Sequence, residues 1–165
     1  MLIADIYHHH AVTIPANKTI REALSLCIKQ KVNGLVVLNE TEQVVGVLSV
    51  QDIAAATIPS QFRQNIAMAA AMYKKGFFHE MCAEIKDQPL TNFMRKNFEY
   101  VNLHDNIMTI TAEFLKNDLY IVPVIEEGKL LGIVTRSEIK GALAYGMNLG
   151  EHPQKKYQNQ SKNTV

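Results

Sequence analysis

The pattern in this chain occurs twice. Residues 12–56 and 100–142 carry the same order of signals. Each copy opens on a short extended stretch, Val12–Pro15 or Tyr100–Leu103, followed by a helix start. In the first copy Thr19 and Glu22 have the spacing of a capping box, and in the second Asp105-Asn106 supplies the cap. The helices share one phase: Ile20, Ala23, Leu24, Cys27 and Ile28 fall on one face, and Ile107, Ile110, Thr111, Phe114 and Leu115 take the matching places. A hairpin follows each helix, Leu35–Leu38 with Val44–Leu48 and Ile121–Ile125 with Leu130–Val134. Their β-branched runs are continuous rather than alternating, which predicts strands covered on both faces. Each hairpin then enters a second helix through Ser49–Ile53 or Thr135–Ile139. Gly46 and Gly132 lie 86 residues apart and Ile20 and Ile107 lie 87 apart, so the unit β-α-β-β-α occurs twice with one residue fewer in the second hairpin turn.

The chain's 165 residues give a prior of one compact domain. A net charge of +1 argues against a polyanion groove, and a 47% hydrophobic fraction argues against disorder. Cys27 and Cys82 cannot make a multi-disulfide framework. Met1–Ile6 is too short for a signal h-region, and no apolar run approaches the length of a bilayer span. The expectation is a cytoplasmic protein without nucleic-acid or membrane partners.

The string Gly-apolar-apolar-(Ser/Thr)-x-x-(Asp/Glu)-Ile, preceded by a capped helix and a Val-rich hairpin, resembles the CBS domain. Two in tandem resemble a CBS pair, or Bateman module, here a stand-alone one. The expected organisation is CBS repeat 1 at 1–58, an inter-repeat amphipathic helix at 59–88, CBS repeat 2 at 89–146 and a polar, disordered tail at 147–165. The resemblance implies an α/β fold in which two repeats pack with pseudo-two-fold symmetry, and a nucleotide-binding cleft between them.

An adenosine nucleotide asks for a carboxylate to accept the ribose diol, for hydroxyl, helix N-terminal or Arg donors to the phosphate, and for an apolar slot at the base. Asp52 is the ribose candidate and Ser49 the hydroxyl beside it. In the second copy Thr135 is the hydroxyl, Arg136 the phosphate donor and Glu138 stands where the family prefers Asp. The first copy has the acid but no cation beside Ser49, where Val50 stands. Ser/Thr-x-x-Asp/Glu at a helix start is also a capping box, and the two roles are compatible. Carried over by position, the family's cleft implies that Glu138, Thr135 and Arg136 face Thr13, Ile14, Asn33, Gly34 and Leu35. It likewise implies that Asp52 and Ser49 face Tyr100, Val101, Tyr120 and Ile121. Gly34 leaves room for a purine. Tyr120 either stacks on a base or fills the slot as core, and Pro123 marks an edge or a bulge.

No nucleophile elbow, P-loop or Cys-x-x-Cys is present, so no enzyme is expected. Cys27 lies in an apolar stripe and reads as an inert core residue. His8 and His10 point to one side if extended, but no Cys or acid at ligand spacing supports a metal. His79, His104 and His152 read as surface residues.

Between the copies, Phe62, Ile66, Ala69, Ala70, Tyr73, Phe77, Met81 and Ile85 recur at helical spacing, with Met68 and Met72 widening the stripe, a break at Gly76 and a stop at Pro89. This helix either covers its own module or pairs with a second copy or a partner. The resulting expectation is a regulatory sensor that binds AMP, ADP or ATP and signals through conformation, homodimer geometry or an effector protein. The alternatives are an interaction module without a small ligand, or a sensor of another adenosyl compound such as S-adenosylmethionine.

Overall fold

The computed structural model describes residues 1–71 and 74–154, without the side chains of Ile66 and Ala69. The chain forms two compact units, one of Val12–Asn97 and one of Met1–Ala11 together with the chain from Phe98 onward. The first eleven residues therefore belong with the second repeat's strands and helices.

In the unit of residues 12–97, β1 (Thr13–Pro15) runs parallel to β2 (Gly34–Leu38), and β2 pairs antiparallel with β3 (Val44–Ser49). Helix α1 (Ile20–Gln30) connects β1 to β2, and α2 (Val50–Ala56) follows β3. Thr19 caps α1 reciprocally with Glu22, and a hydrogen bond from Lys18 holds the Glu22 carboxyl below its usual range. Ile20, Ala23 and Cys27 of α1 are buried with Leu35, Val37, Leu48 and Ile53, and burial pushes the Cys27 thiol up. The other two members of the stripe, Leu24 and Ile28, are exposed.

The segment after the first repeat completes this core. It forms a 3-10 turn (Ser60–Phe62), α3 (Ile66–Ala71) and, after Gly76, α4 (Phe77–Ile85). Gly76 is the reason for the second start: it caps α4 with φ near +90°, a backbone that glycine adopts without steric cost. Ile85 and Leu90 enter the core, Arg21 grips Asp87 with two hydrogen bonds, and Leu90 N donates to Lys18 O. The expectations for Met72, Tyr73 and residues 155–165 lie outside the described residues, as do those for the side chains of Ile66 and Ala69.

In the other unit, α5 (Ile107–Asn117) precedes the hairpin β4 (Ile121–Glu126) and β5 (Lys129–Thr135), and α6 (Arg136–Gly146) follows. The stretch at Tyr100–Leu103 makes one parallel bridge, Val101 to Val124, where the first copy has a strand. Glu127 and Gly128 both have positive φ, as a two-residue hairpin loop of the I′ kind requires. Ile110 and Phe114 are buried with Val122, Val124 and Val134, whereas Leu115 is exposed. Pro123 lies on β4, whose outer side carries, among the described residues, only the Val101 bridge, so the missing N–H costs no ladder bond of a central strand. Residues 147–154, expected to belong to an unstructured tail, are ordered: Pro153 is buried, His152 packs edge-on to Tyr145, and the Gln154 side chain donates to Ala4 O.

The two units repeat one more device. A 3-10 turn, Ile3–Asp5 or Leu90–Asn92, leads into a residue that pairs with the outer edge of the second hairpin strand. His8 exchanges two backbone hydrogen bonds with Ile133 at 2.9 Å each. Arg95 exchanges two with Val47 at 2.8 and 3.2 Å. The matched glycines explain themselves here. A Cβ on Gly132 would land on the backbone carbonyl of His8, and one on Gly46 would come within 2.8 Å of Met94 Sδ and 3.0 Å of Arg95 O.

Gly132→Ala is expected to cost about 2–3 kcal/mol, because backbone must move, and Gly46→Ala about 1 kcal/mol, because the Met94 side chain yields first. Urea melts of the two variants check this order; equal stability of Gly132→Ala and the parent would contradict it.

Candidate functional site

The two strand-to-helix junctions carry the hydroxyl and carboxylate pairs. In the first, Ser49 ends β3 and caps α2: its Oγ accepts from Asp52 N at 3.1 Å. The Asp52 carboxylate returns the contact, Oδ2 accepting from Ser49 N at 2.9 Å and from Ser49 Oγ at 2.6 Å. The last is in the range of a charge-assisted hydrogen bond. Ser49 is buried and Asp52 nearly so.

The second carboxylate oxygen is also engaged. Asp52 Oδ1 accepts from Arg95 Nε at 2.9 Å, with the Asp52 side chain 11% and the Arg95 side chain 34% exposed. The cation that the first copy lacks beside Ser49 thus arrives from 43 residues further on, on the segment that pairs with Val47. Sequence reasoning missed Arg95. The available signal was the repeat offset, which aligns Arg95 with His8 just as it aligns Leu90 with Ile3.

The residues expected to face Glu138, Thr135 and Arg136 lie in this unit, some of them beside Ser49 itself. Gly34 is the strand partner of Ser49, and Asn33 O accepts from Val50 N at 2.9 Å. Thr13 is exposed opposite Val36. Ile14 and Leu35 point their side chains into the core, so what they offer a ligand is backbone.

The second junction has the same form with different chemistry. Thr135 caps α6 by accepting from Ser137 N, and Glu138 Oε2 accepts from Thr135 N at 2.8 Å and Thr135 Oγ1 at 2.6 Å. The extra methylene of Glu138 is absorbed with its carboxylate buried. Arg136 is 64% exposed and engages Asp118 at 3.4 Å, while its guanidinium lies 4.8 Å from the Tyr120 ring centroid. Tyr120 therefore stacks under Arg136, with its hydroxyl donating to Asp118. Val101 and Ile121 are core, and Tyr100 is exposed beside Phe98.

A separate cavity of about 400 Å³ lies within the unit of residues 12–97, lined by Phe62, Phe77, Met81, Ile85, Phe93 and Arg63 among others. Helix α4 turns these apolar residues toward its own unit and leaves Phe78 exposed. Among the described residues no cluster of three or more His, Cys, Asp or Glu side chains is placed to hold a metal, and no helix is long and apolar enough to cross a membrane. His10 N donates to His8 Nδ1 at 3.1 Å, and His79 and His104 are exposed.

The family model of the CBS domain matches residues 3–58 and 90–145. The chain belongs to the CBS domain family. As a CBS pair it is 28% identical over 156 residues to the protein MJ1426 of Methanocaldococcus jannaschii, covering 87% of this chain and 91% of that one. Its fold is similar to that of MJ1004 of the same genus, with TM-score 0.62 and 18% identity over 88% of this chain and 60% of that one. It is also similar to the CBS domain pair of MJ0100 in complex with 5′-methylthioadenosine and S-adenosyl-L-methionine, with TM-score 0.66 and 22% identity over 88% and 98%. CBSX2 in complex with AMP gives TM-score 0.61 and 21% identity over 88% and 98%.

Ser49→Ala removes one cap and is expected to cost about 1 kcal/mol of stability. Asp52→Ala removes the reciprocal cap and leaves Arg95 without its carboxylate, so the expected cost is about 2–3 kcal/mol. Denaturant melts of the two CBS-pair variants check the order, and equal losses would remove the energetic role assigned to Arg95.

Proposed function

We propose that this CBS pair is a non-catalytic regulatory module that binds an adenosine nucleotide, AMP, ADP or ATP, at its strand-to-helix junctions. The observation that carries the reading is the recurrence of one chemical unit, a hydroxyl bonded to a carboxylate in a partly buried setting, at Ser49–Asp52 and again at Thr135–Glu138. That unit pairs a proton donor with an acceptor at the end of a strand, as a ribose and its phosphate require. The ligands named for MJ0100 and CBSX2 are all adenosine compounds, which supports the class. The ligand's effect on conformation is limited to its affinity difference between states.

A ligand at one hundred times its Kd is expected to stabilise the protein by about 2.7 kcal/mol, a rise of roughly 5–10 °C in Tm. Thermal melts with AMP, ADP and ATP test this. No shift with any of the three would leave the interaction-module reading, in which the pair docks a partner without a small ligand.

The signal is proposed to pass through a homodimer or an effector protein. Ile28 of α1 and Met108 and Leu115 of α5 are apolar yet 71%, 71% and 84% exposed, more than a helix facing only water needs. Light scattering is expected to give twice the 18.6 kDa chain mass, and the combined Ile28→Lys and Leu115→Lys variant half of that. A parent that runs at chain mass would rule the dimer out.

A further inference from the structure

The cavity of about 400 Å³ in the unit of residues 12–97 lies outside the two junctions. It is walled by the 3-10 turn at Ser60–Phe62 and by α4, in the segment that separates the repeats. Its volume is in the range of small-molecule sites. Ile85 at its wall is buried, and Phe62, Phe77, Met81 and Phe93 are half-buried. Water in such a space finds few polar partners. An aromatic group finds ring edges, ring faces and a thioether.

Two opposite charges, Arg63 and Glu84, line the same cavity and are exposed, so they stand at its mouth. Neither forms an ion pair among the described residues. Arg63 Nε donates to Ile58 O at 3.0 Å, which anchors the guanidinium and leaves its terminal nitrogens as donors. Among the described residues the Glu84 carboxylate accepts no hydrogen bond. A ligand with a single charge suits one of these groups and sets its like charge against the other. An apolar carboxylate would pair with Arg63 and face Glu84, and an apolar amine would do the reverse. A free α-amino acid carries both charges on one carbon. Its carboxylate matches the Arg63 fork, its ammonium gives Glu84 a donor, and its side chain enters the apolar interior.

We infer that this cavity is a second ligand site, which binds a free α-amino acid with an aromatic side chain. The inference uses none of the junction residues and stands apart from the nucleotide reading. The cavity nevertheless abuts both elements that hold Asp52: Ala56 ends α2, and Phe93 precedes Arg95 by two residues.

Calorimetric titration of L-phenylalanine, of phenylpropanoate, which lacks the ammonium, and of phenethylamine, which lacks the carboxylate, into the full chain tests the inference. L-Phenylalanine is expected to bind about fivefold or more tighter than either analogue. Arg63→Gln is expected to weaken L-phenylalanine about fivefold and to leave phenethylamine as tight or tighter. Glu84→Gln is expected to weaken L-phenylalanine to a similar degree and to leave phenylpropanoate as tight or tighter. The analogue whose partner is retained reports that the cavity is intact in each variant. A parent that does not bind L-phenylalanine overturns the inference. A parent that binds either analogue as tightly overturns it too, because the cavity then takes a singly charged apolar ligand. An L-phenylalanine affinity unchanged in either variant also overturns it, because the ligand then does not bridge the two charges.

Discussion

The close backbone pairing at the edge of the second hairpin strand is the contact on which the rest of each unit depends. At Ile133 and at Val47 an incoming segment exchanges two hydrogen bonds with the strand, and a neighbouring glycine lets the two backbones approach. The pairing covers an edge that would otherwise expose unpaired N–H and C=O groups. It also carries the segment's apolar residues into the core: Ile3 and Ile6 are fully buried in one unit, and Leu90 in the other. Without the segment, each core would lose its large fully buried side chains at one end, at a cost of several kcal/mol.

This contact ties the fold to the chemistry. Arg95 follows directly from the pairing with Val47, and its side chain reaches the start of α2 because the backbone beside Gly46 is held close. Asp52 is fixed from two directions, by the cap to Ser49 and by the ion pair to Arg95. The second unit uses the same backbone plan with His8 in place of Arg95 and Glu138 in place of Asp52. One architecture thus carries two junctions with different side chains.

Much of this was legible in the sequence. The duplicated helices, hairpins and caps are local patterns, and α1, α2, α5 and α6 begin at the residues that the Ser, Thr and Asn caps mark. The family resemblance rested on the same local signals. What was not legible depends on contacts far apart along the chain. Apolar periodicity marks Ile28 and Leu115 as stripe members, but periodicity does not say which edge of a stripe is covered, and both are exposed. The Tyr100–Leu103 stretch reads as extended and makes only one bridge. Above all, the partner of Asp52 lies 43 residues away on a segment of the other repeat, where no spacing rule within a junction can find it.

The central claim is that an adenosine nucleotide meets the protein at Ser49, Asp52 and Arg95. The most direct measurement is a titration of the ¹⁵N-labelled protein with AMP, following the assigned backbone signals of Ser49 and Asp52 and the side-chain Nε–H signal of Arg95. The account predicts that all three shift together and saturate at one Kd. Saturable binding that leaves these three signals unmoved would contradict it.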